Sequence, residues 1–383
     1  MASRRGYMRV LLLIGDAIAI GVIVLALQGP VSLAAFVAPG GRSQVRVPAG
    51  FTANVFAAGL SAPRFLEFGP DGRLYVAESG RNRITALADT NGDGAADVTK
   101  VFATDLASPH SVTWHKGALY VGVPTGVVEL KDADADGSAE ARRVLVDDYP
   151  TPGHSTRTVL FLRDGRMAVS VGSSCNVCIE EDRRRAAIVV YDGPAGGGEK
   201  LFATGLRNAV GLALHPESGE MWATNNGRDW LGDDLPPETI NVVKEGLDFG
   251  WPRCHAGDVV DPEFGGQGGC DGVAPPVLKM QAHSAPLGLA FYTGTAFPAQ
   301  YRGDLFVALH GSWNRSTPVG YKVIRVPIAD DGTPGAPQDF ATGFYDDNTL
   351  TGRPVGLAVG PDGALYISDD RGGFIYRVTH SGS

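Results

Sequence analysis

One short phrase occurs six times in this chain: an apolar run, a turn rich in Gly, Pro and Asp, and a second apolar run. Its clearest copies are RFLEFGPDGRLYVAES from Arg64 and VGLAVGPDGALYISDD from Val355. The others begin at Ser111, Arg157, Val210 and Leu287, the Leu287 copy with a longer turn. Each copy is a hairpin signal, since β-rich runs flank residues that accept the backbone angles of a tight turn. Leu74, Leu119, Met167, Met221, Leu305 and Leu365 hold equivalent places, 45 to 84 residues apart. A period of roughly 40–50 residues marks propeller blades of four strands each, and the two longest intervals require insertions. The expectation is an all-β chain, a six-bladed β-propeller over residues 45–380. The strand within 45–58 should close the ring by pairing near Phe374 to Val378.

Composition agrees. The 383 residues include 52 glycines, as turns require, and carry a net charge of −9, which argues against a nucleic-acid partner. The first 40 residues stand apart. Arg4, Arg5 and Arg9 precede an apolar stretch from Val10 to Leu27, then small residues with Ser32-Leu33-Ala34 as a cleavage candidate. Residues 1–40 therefore read as a secretory signal or a retained membrane anchor, and SRRGYMR resembles a twin-arginine signal. Either reading puts the propeller outside the cytoplasm, in the periplasm or beyond. There, four cysteines favour two disulfides, Cys175–Cys178 and Cys254–Cys270.

Two acidic loops join blades: 89–97 with Asp89, Asn91, Asp93 and Asp97, and 132–140 with Asp132, Asp134, Asp136 and Glu140. Alternating oxygens before a Gly resemble a calcium loop, yet neither has the bidentate Glu of an EF-hand, and a solvated Asp-Gly hairpin explains them as well. A long stretch from Asn225 to about His283 reads as an ordered insertion, rich in Trp, Pro and Cys.

Equivalent repeat positions share one end of a propeller. Counting back from the last apolar residue before each turn, Arg64, His110 and Arg157 stand four before it. Asn208 and Arg353 stand six before it, and His154 and Arg207 seven. A ring of Arg, His and Asn at one channel mouth fits an anionic or hydrogen-bonding ligand. A neutral imidazole can act there as a base; position singles out His154 and His110 without choosing between them.

Several segments resemble one known family. GHSTRTVLF, GLRNAVGLALHP, PPETIN, GLDFGWP, HGSWNR and GRPVGLAVGPDGALYISDD are similar to the pyrroloquinoline-quinone-dependent sugar dehydrogenases, nearest the sorbosone-dehydrogenase-like branch of the soluble aldose dehydrogenases. The resemblance runs from about residue 45 to 380. It implies a six-bladed propeller with the quinone in the channel mouth. His154 would be the base for a sugar hydroxyl, with hydride passing to the quinone and on to an external electron acceptor. Arg207 would be catalytic and, with Asn208, would contact the cofactor. Arg353 would meet a cofactor carboxylate. His310, Trp313 and Asn314 of HGSWNR would complete the cofactor pocket. Calcium would be held by Glu238 and the carbonyls near Phe249 and Gly250. A lysine and a second arginine of the glucose-dehydrogenase branch are missing, and Arg315, Lys322 or Arg64 could supply the charge. The rivals are a calcium-dependent lactonase propeller and a non-catalytic binding propeller.

Overall fold

The computed structural model describes residues 44–382, so the N-terminal segment 1–40 lies outside the described residues. Six four-stranded antiparallel sheets follow one another around a ring. The innermost strands are Pro63–Phe68, Ser111–His115, Val159–Phe161, Leu212–Leu214, Pro286–Phe291 and Pro354–Val359. The second strands are Leu74–Glu78, Ala118–Val123, Met167–Val171, Met221–Asn225, Leu305–Leu309 and Leu365–Asp369. Both come from the repeated phrase. Three short 3-10 turns are the helical elements among the described residues, and no helix there is long and apolar enough to cross a membrane.

The ring closes as expected. Phe51–Ala57 is the outermost strand of the sixth blade, antiparallel to Phe374–His380, with Phe51 opposite His380 and Ala57 opposite Ile375. Both disulfides form as expected.

The turns show why the phrase repeats. In the first blade Gly72 takes φ of 79°, the Arg73 N–H donates to Asp71 Oδ1 at 3.1 Å, and the Tyr75 hydroxyl donates to Asp71 Oδ2 at 2.9 Å. The sixth blade repeats this with Asp362, whose two oxygens receive the Ala364 N–H and the Tyr366 hydroxyl at 3.0 Å. One aspartate thus fastens both the turn and the aromatic two residues into the next strand. Those aromatics pack between blades: Tyr75 meets Phe102 and Trp114 edge to face, each with centroids 4.9 Å apart. The core is a series of apolar layers, one between each pair of neighbouring blades.

The V/L-G-L start of three copies has a separate cause. A Cβ on Gly288 would stand 2.5 Å from the Val355 carbonyl oxygen, and one on Gly356 would stand 2.8 Å from that of Arg64. Only glycine lets adjacent inner strands approach this closely around the axis. The preceding Val210, Leu287 and Val355 join Phe65 in a buried cluster that plugs the channel.

The stretch 225–283 differs from a single insertion. It holds the third and fourth strands of the fourth blade, Glu238–Val243 and Leu278–Met280, and so divides into two loops. Both are ordered. Arg228 bonds Asp261 at 2.5 Å and Glu263 at 2.8 Å, and the Cys254–Cys270 disulfide ties the second loop.

Candidate functional site

The site lies at the end of the ring opposite the Asp-Gly turns, where second strands hand over to loops and inner strands begin. The last residue of the second strand fastens the segment leading into its own blade's inner strand. Glu78 accepts the Ser61 N–H at 2.7 Å, Asn225 that of Asn208 at 3.0 Å, and Asp369 that of Arg353 at 2.8 Å. One residue further on, Gly172, Asn226, His310 and Asp370 reach the mouth. The inner strands of the first, fifth and sixth blades begin at Pro63, Pro286 and Pro354 and break register within three residues. Such bulges re-aim side chains, here beside Arg64 and Arg353.

His154 is held by one ring nitrogen. Its Nδ1 lies 3.1 Å from the Ser173 carbonyl oxygen and 2.9 Å from Ser173 Oγ. A carbonyl can only accept, so Nδ1 carries the proton and Nε2 keeps its lone pair. Nε2 makes no hydrogen bond among the described residues. The side chains of His154 and Asn208 meet at Gly172, where a Cβ would stand 2.5 Å from His154 Cβ and 2.8 Å from Asn208 Oδ1. The Asn208 side-chain amide is likewise without a partner among the described residues. Burial, and then the Arg207 charge, lower the His154 pKa from 6.5 to about 4. The ring is neutral at pH 7.

A second cluster bridges the first, fifth and sixth blades. Arg64 bonds Asp370 at 2.5 Å, and His310 Nε2 donates to the same carboxylate at 3.0 Å. His310 Nδ1 accepts from Arg353 at 3.2 Å. Burial raises the Asp370 carboxyl, but the His310 hydrogen bond and the Arg64 charge more than reverse this, leaving it below the usual range. Arg353 has no carboxylate partner among the described residues; its other neighbours are the Gly311 carbonyl and the face of Tyr321. His110 differs from His154. Its Nδ1 accepts from Arg64 Nε at 3.4 Å, its Nε2 is buried without a partner, and its ring lies on Phe65 with centroids 4.6 Å apart. Burial, with Arg64 and Arg157, holds it well below the usual histidine range.

Arg207 is fully engaged. It makes five hydrogen bonds, to the Asn176 carbonyl and Oδ1, the Asn226 and Gly227 carbonyls, and Asp229 Oδ2. Asp229 also accepts from Asn314 at 2.8 Å. Arg207, Asn176, Asp229 and Asn314 therefore form one wall across three blades. The small Cys175–Cys178 loop presents Asn176 to it, and Ser173, which orients His154, bonds the Cys175 carbonyl at 2.7 Å. Arg157 is wholly buried and serves the carbonyls of Pro150, His154 and Thr156. Trp313 is exposed on the rim against Trp230. Of the candidates for the missing charge, Arg315 is bound by Asp233 and Asp234 and Lys322 pairs with Asp339, so Arg64 is the one at the site.

The residues named for calcium lie beside this wall. Glu238 is buried, accepts the Gly227 N–H at 2.7 Å, and is raised by burial to about 7. The Gly250 carbonyl accepts from both Arg253 and Cys254 at 2.9 Å. Phe249 lines a small cavity with Arg207, Thr239 and Trp251. Glu238 Oε2 and the Gly250 carbonyl oxygen thus each accept backbone N–H groups, and Glu238 with the Phe249 and Gly250 carbonyls is the set that would hold the calcium. Of the acidic loops, 132–140 gathers Asp132, Asp134, Asp136 and Glu140 within 4.8 Å of one another. The 89–97 loop turns its Asp89 oxygens onto the Gly92 and Gly94 N–H groups. Both lie at the end of the Asp-Gly turns: Asp132 lines a pocket with Asp71, and Gly94 sits against Arg377, which binds Asp362.

The mouth positions four, six and seven residues before the end of the inner strands were readable in sequence. The residues missed were Asp370, Asn176, Asp229 and Ser173. Counting five residues forward from the second-strand anchors finds Asp370 as it finds His310; the other three have no repeat equivalent. The mouth thus combines a neutral imidazole with a free lone pair, an open amide, and a guanidinium lacking a counter-charge. This suits an anionic, hydrogen-bonding ligand beside a proton acceptor.

Residues 41–377 match the family described as Domain of unknown function (DUF7133). An uncharacterized protein of Borreliella burgdorferi is 29% identical over 355 residues, covering 88% of this chain and 91% of that protein. A pyrroloquinoline quinone-dependent pyranose dehydrogenase of Coprinopsis cinerea is 29% identical over 412 aligned positions. That match takes in 89% of this chain and 55% of that enzyme, so this chain spans about half that relative's length. The holo form of the PQQ domain of the Coprinopsis cinerea pyranose dehydrogenase superposes with a TM-score of 0.77 at 26% identity, covering 89% of this chain and 98% of that domain.

Proposed function

We propose, from a chain that belongs to the DUF7133 family and has pyrroloquinoline-quinone-dependent sugar dehydrogenases among its homologues, that this protein oxidises a sugar of the aldose or sorbosone type with that quinone. The single observation that carries the reading is the state of His154. Its proton is fixed on Nδ1 by the Ser173 carbonyl, and Nε2 is left free beside the open Asn208 amide.

The site residues fit the quinone. Arg353, without a carboxylate partner among the described residues, would meet one of its carboxylates; Asn208 would bond a carbonyl; the Arg64–Asp370 pair and the neutral His310 would brace Arg353 from the side. When bound, the quinone supplies the acceptor for the hydride pair. His154 takes the hydroxyl proton of the carbon being oxidised onto Nε2, and Ser173 holds the ring while it does so. The Arg207 wall positions the loops on either side. The apolar plug of Phe65, Val210, Leu287 and Val355 closes the channel to water from below. Glu238 and the carbonyls of Phe249 and Gly250 would hold a calcium ion, and no step is routed through it. An external acceptor then reoxidises the cofactor. Two disulfides support a location outside the cytoplasm, reached through the 1–40 signal or anchor.

The test is reconstitution with pyrroloquinoline quinone, with dye reduction followed over a sugar panel. Activity that requires the quinone supports the reading. Hydrolysis of lactones without dye reduction would favour a lactonase, and saturable sugar binding without turnover a binding propeller.

A further inference from the structure

Two tryptophans project from the rim. Trp230 and Trp313 expose 67% and 64% of their surface, and their rings meet edge to face with centroids 5.1 Å apart and planes at 86°. Each is fixed by the residue beside it: Asp229 binds Arg207 at 2.9 Å, and Asn314 binds Asp229 at 2.8 Å. Further along, the Ser316 N–H reaches Asp233 at 3.1 Å, and Arg315 bonds Asp234 at 3.2 Å. The two loops are therefore latched to each other and to the site wall. Trp230 also adopts φ of 71°, a left-handed backbone that a bulky side chain rarely takes. Strained backbone and a latched, exposed aromatic pair are not what folding alone selects, and both occur where ligands are handled.

We propose that Trp230 and Trp313 form a stacking subsite for a pyranose ring next to the one being oxidised. The preferred substrate would then be the end of an oligosaccharide and not a free monosaccharide. This rests on the proposed function and adds a substrate class to it. A pyranose has an apolar C–H face and a rim of hydroxyls. An indole face covers the first, and nearby acceptors meet the second. Here the indoles form a corner of two nearly perpendicular planes, and the same two loops carry the exposed Asp234 carboxylate, bonded to Arg315 two residues beyond Trp313. The corner is small and its loops carry Asp233 and Asp234, which suits a sugar ring better than a flat protein surface.

Two measurements test it. Steady-state kinetics of the quinone-loaded protein would compare glucose with cello- and malto-oligosaccharides. Tryptophan fluorescence of the quinone-free protein would be titrated with the same sugars. Trp230→Ala and Trp313→Ala should each raise KM for oligosaccharides roughly ten-fold, the scale of one aromatic contact. For Trp230→Ala, KM for glucose, kcat and the melting temperature should be unchanged, and Trp230→Phe should keep most of the affinity. Equal losses on glucose and oligosaccharides, or no loss on any sugar, would overturn the subsite. If the wild-type protein reduces no dye with any sugar, the dehydrogenase reading fails on its own and fluorescence decides the subsite. Saturable quenching by oligosaccharides that Trp313→Ala abolishes would keep it, and absence of quenching would end it.

Discussion

Arg64 of the first blade and Asp370 of the sixth meet at 2.5 Å across the seam where the ring closes. Their side chains are 14% and 15% exposed, so the pair is mostly withdrawn from water. Removing Asp370 would leave Arg64 buried without its counter-charge, and His310 without its acceptor. Asp370→Asn should therefore cost about 3 kcal/mol at neutral pH. The sign of the pH dependence follows from the lowered carboxyl. Its stabilisation is complete above the usual carboxylate range and is lost as pH falls through the folded value. The gap in denaturant midpoint between wild type and Asp370→Asn should close on acidification below the usual carboxylate range. A gap that stays constant with pH would mean that the pair is not ionic.

His154 gives a prediction about chemistry. Its Nε2 is the free lone pair, and its pKa is lowered to about 4 by burial and Arg207. A base must be unprotonated to act, so turnover should rise with pH through about 4 and be flat above it, with no inflection at the ordinary histidine value of 6.5. His154→Ala should lower kcat by about 10²–10⁴ while quinone affinity stays nearly intact. His110→Ala is the control, since both nitrogens of that ring are withdrawn: one faces Arg64, the other is buried. An acid limb near neutrality that survives His154→Ala would assign the base elsewhere.

The repeat made the fold legible, because a hairpin phrase six times over leaves few ways to bury its apolar faces. It also located one end of the ring, since Arg64, Asn208 and Arg353 hold comparable places in their blades. It could not say which polar side chains face a ligand. Arg157 and Arg64 are equivalent in sequence, yet Arg157 feeds three carbonyls inside the protein while Arg64 binds Asp370 at the mouth. The bulge at Pro63 separates them, and register is a tertiary outcome. The wall around Arg207 was hidden for another reason. Asn176 and Asp229 come from loops without repeat equivalents, and only packing brings them together.

The two disulfides should behave differently. Cys254–Cys270 closes a loop with a sequence separation of 16, for which chain entropy gives about 3 kcal/mol. Cys175–Cys178 has a separation of 3 and constrains the unfolded chain little, but it shapes the loop that presents Asn176 to Arg207 and supports Ser173. Replacing Cys254 and Cys270 by Ala should lower the melting temperature while folded protein remains active. Replacing Cys175 and Cys178 by Ala should lower kcat with a small change in melting temperature. The reverse pattern would show that the small loop is structural and the large one belongs to the site.

Arg207 and Arg353 look alike in a sequence alignment of roles, but their surroundings divide them. All five Arg207 bonds are made to the protein, including the partly buried wall residues Asn176 and Asp229. Arg353 spends its guanidinium on a histidine nitrogen, a carbonyl and an aromatic face, and faces no carboxylate among the described residues. Arg353→Ala should therefore leave the melting temperature of the quinone-free protein unchanged. It should weaken quinone binding roughly 10–100-fold, the worth of a hydrogen bond to a charged group. Arg207→Ala should lower the melting temperature of the quinone-free protein, because Asp229 and Asn176 lose their shared donor, and any loss of quinone should follow from that loosening. Thermal melts with and without added quinone separate the two. If Arg207→Ala melts like wild type without quinone yet gains nothing when it is added, Arg207 contacts the cofactor directly and the wall must open to release it.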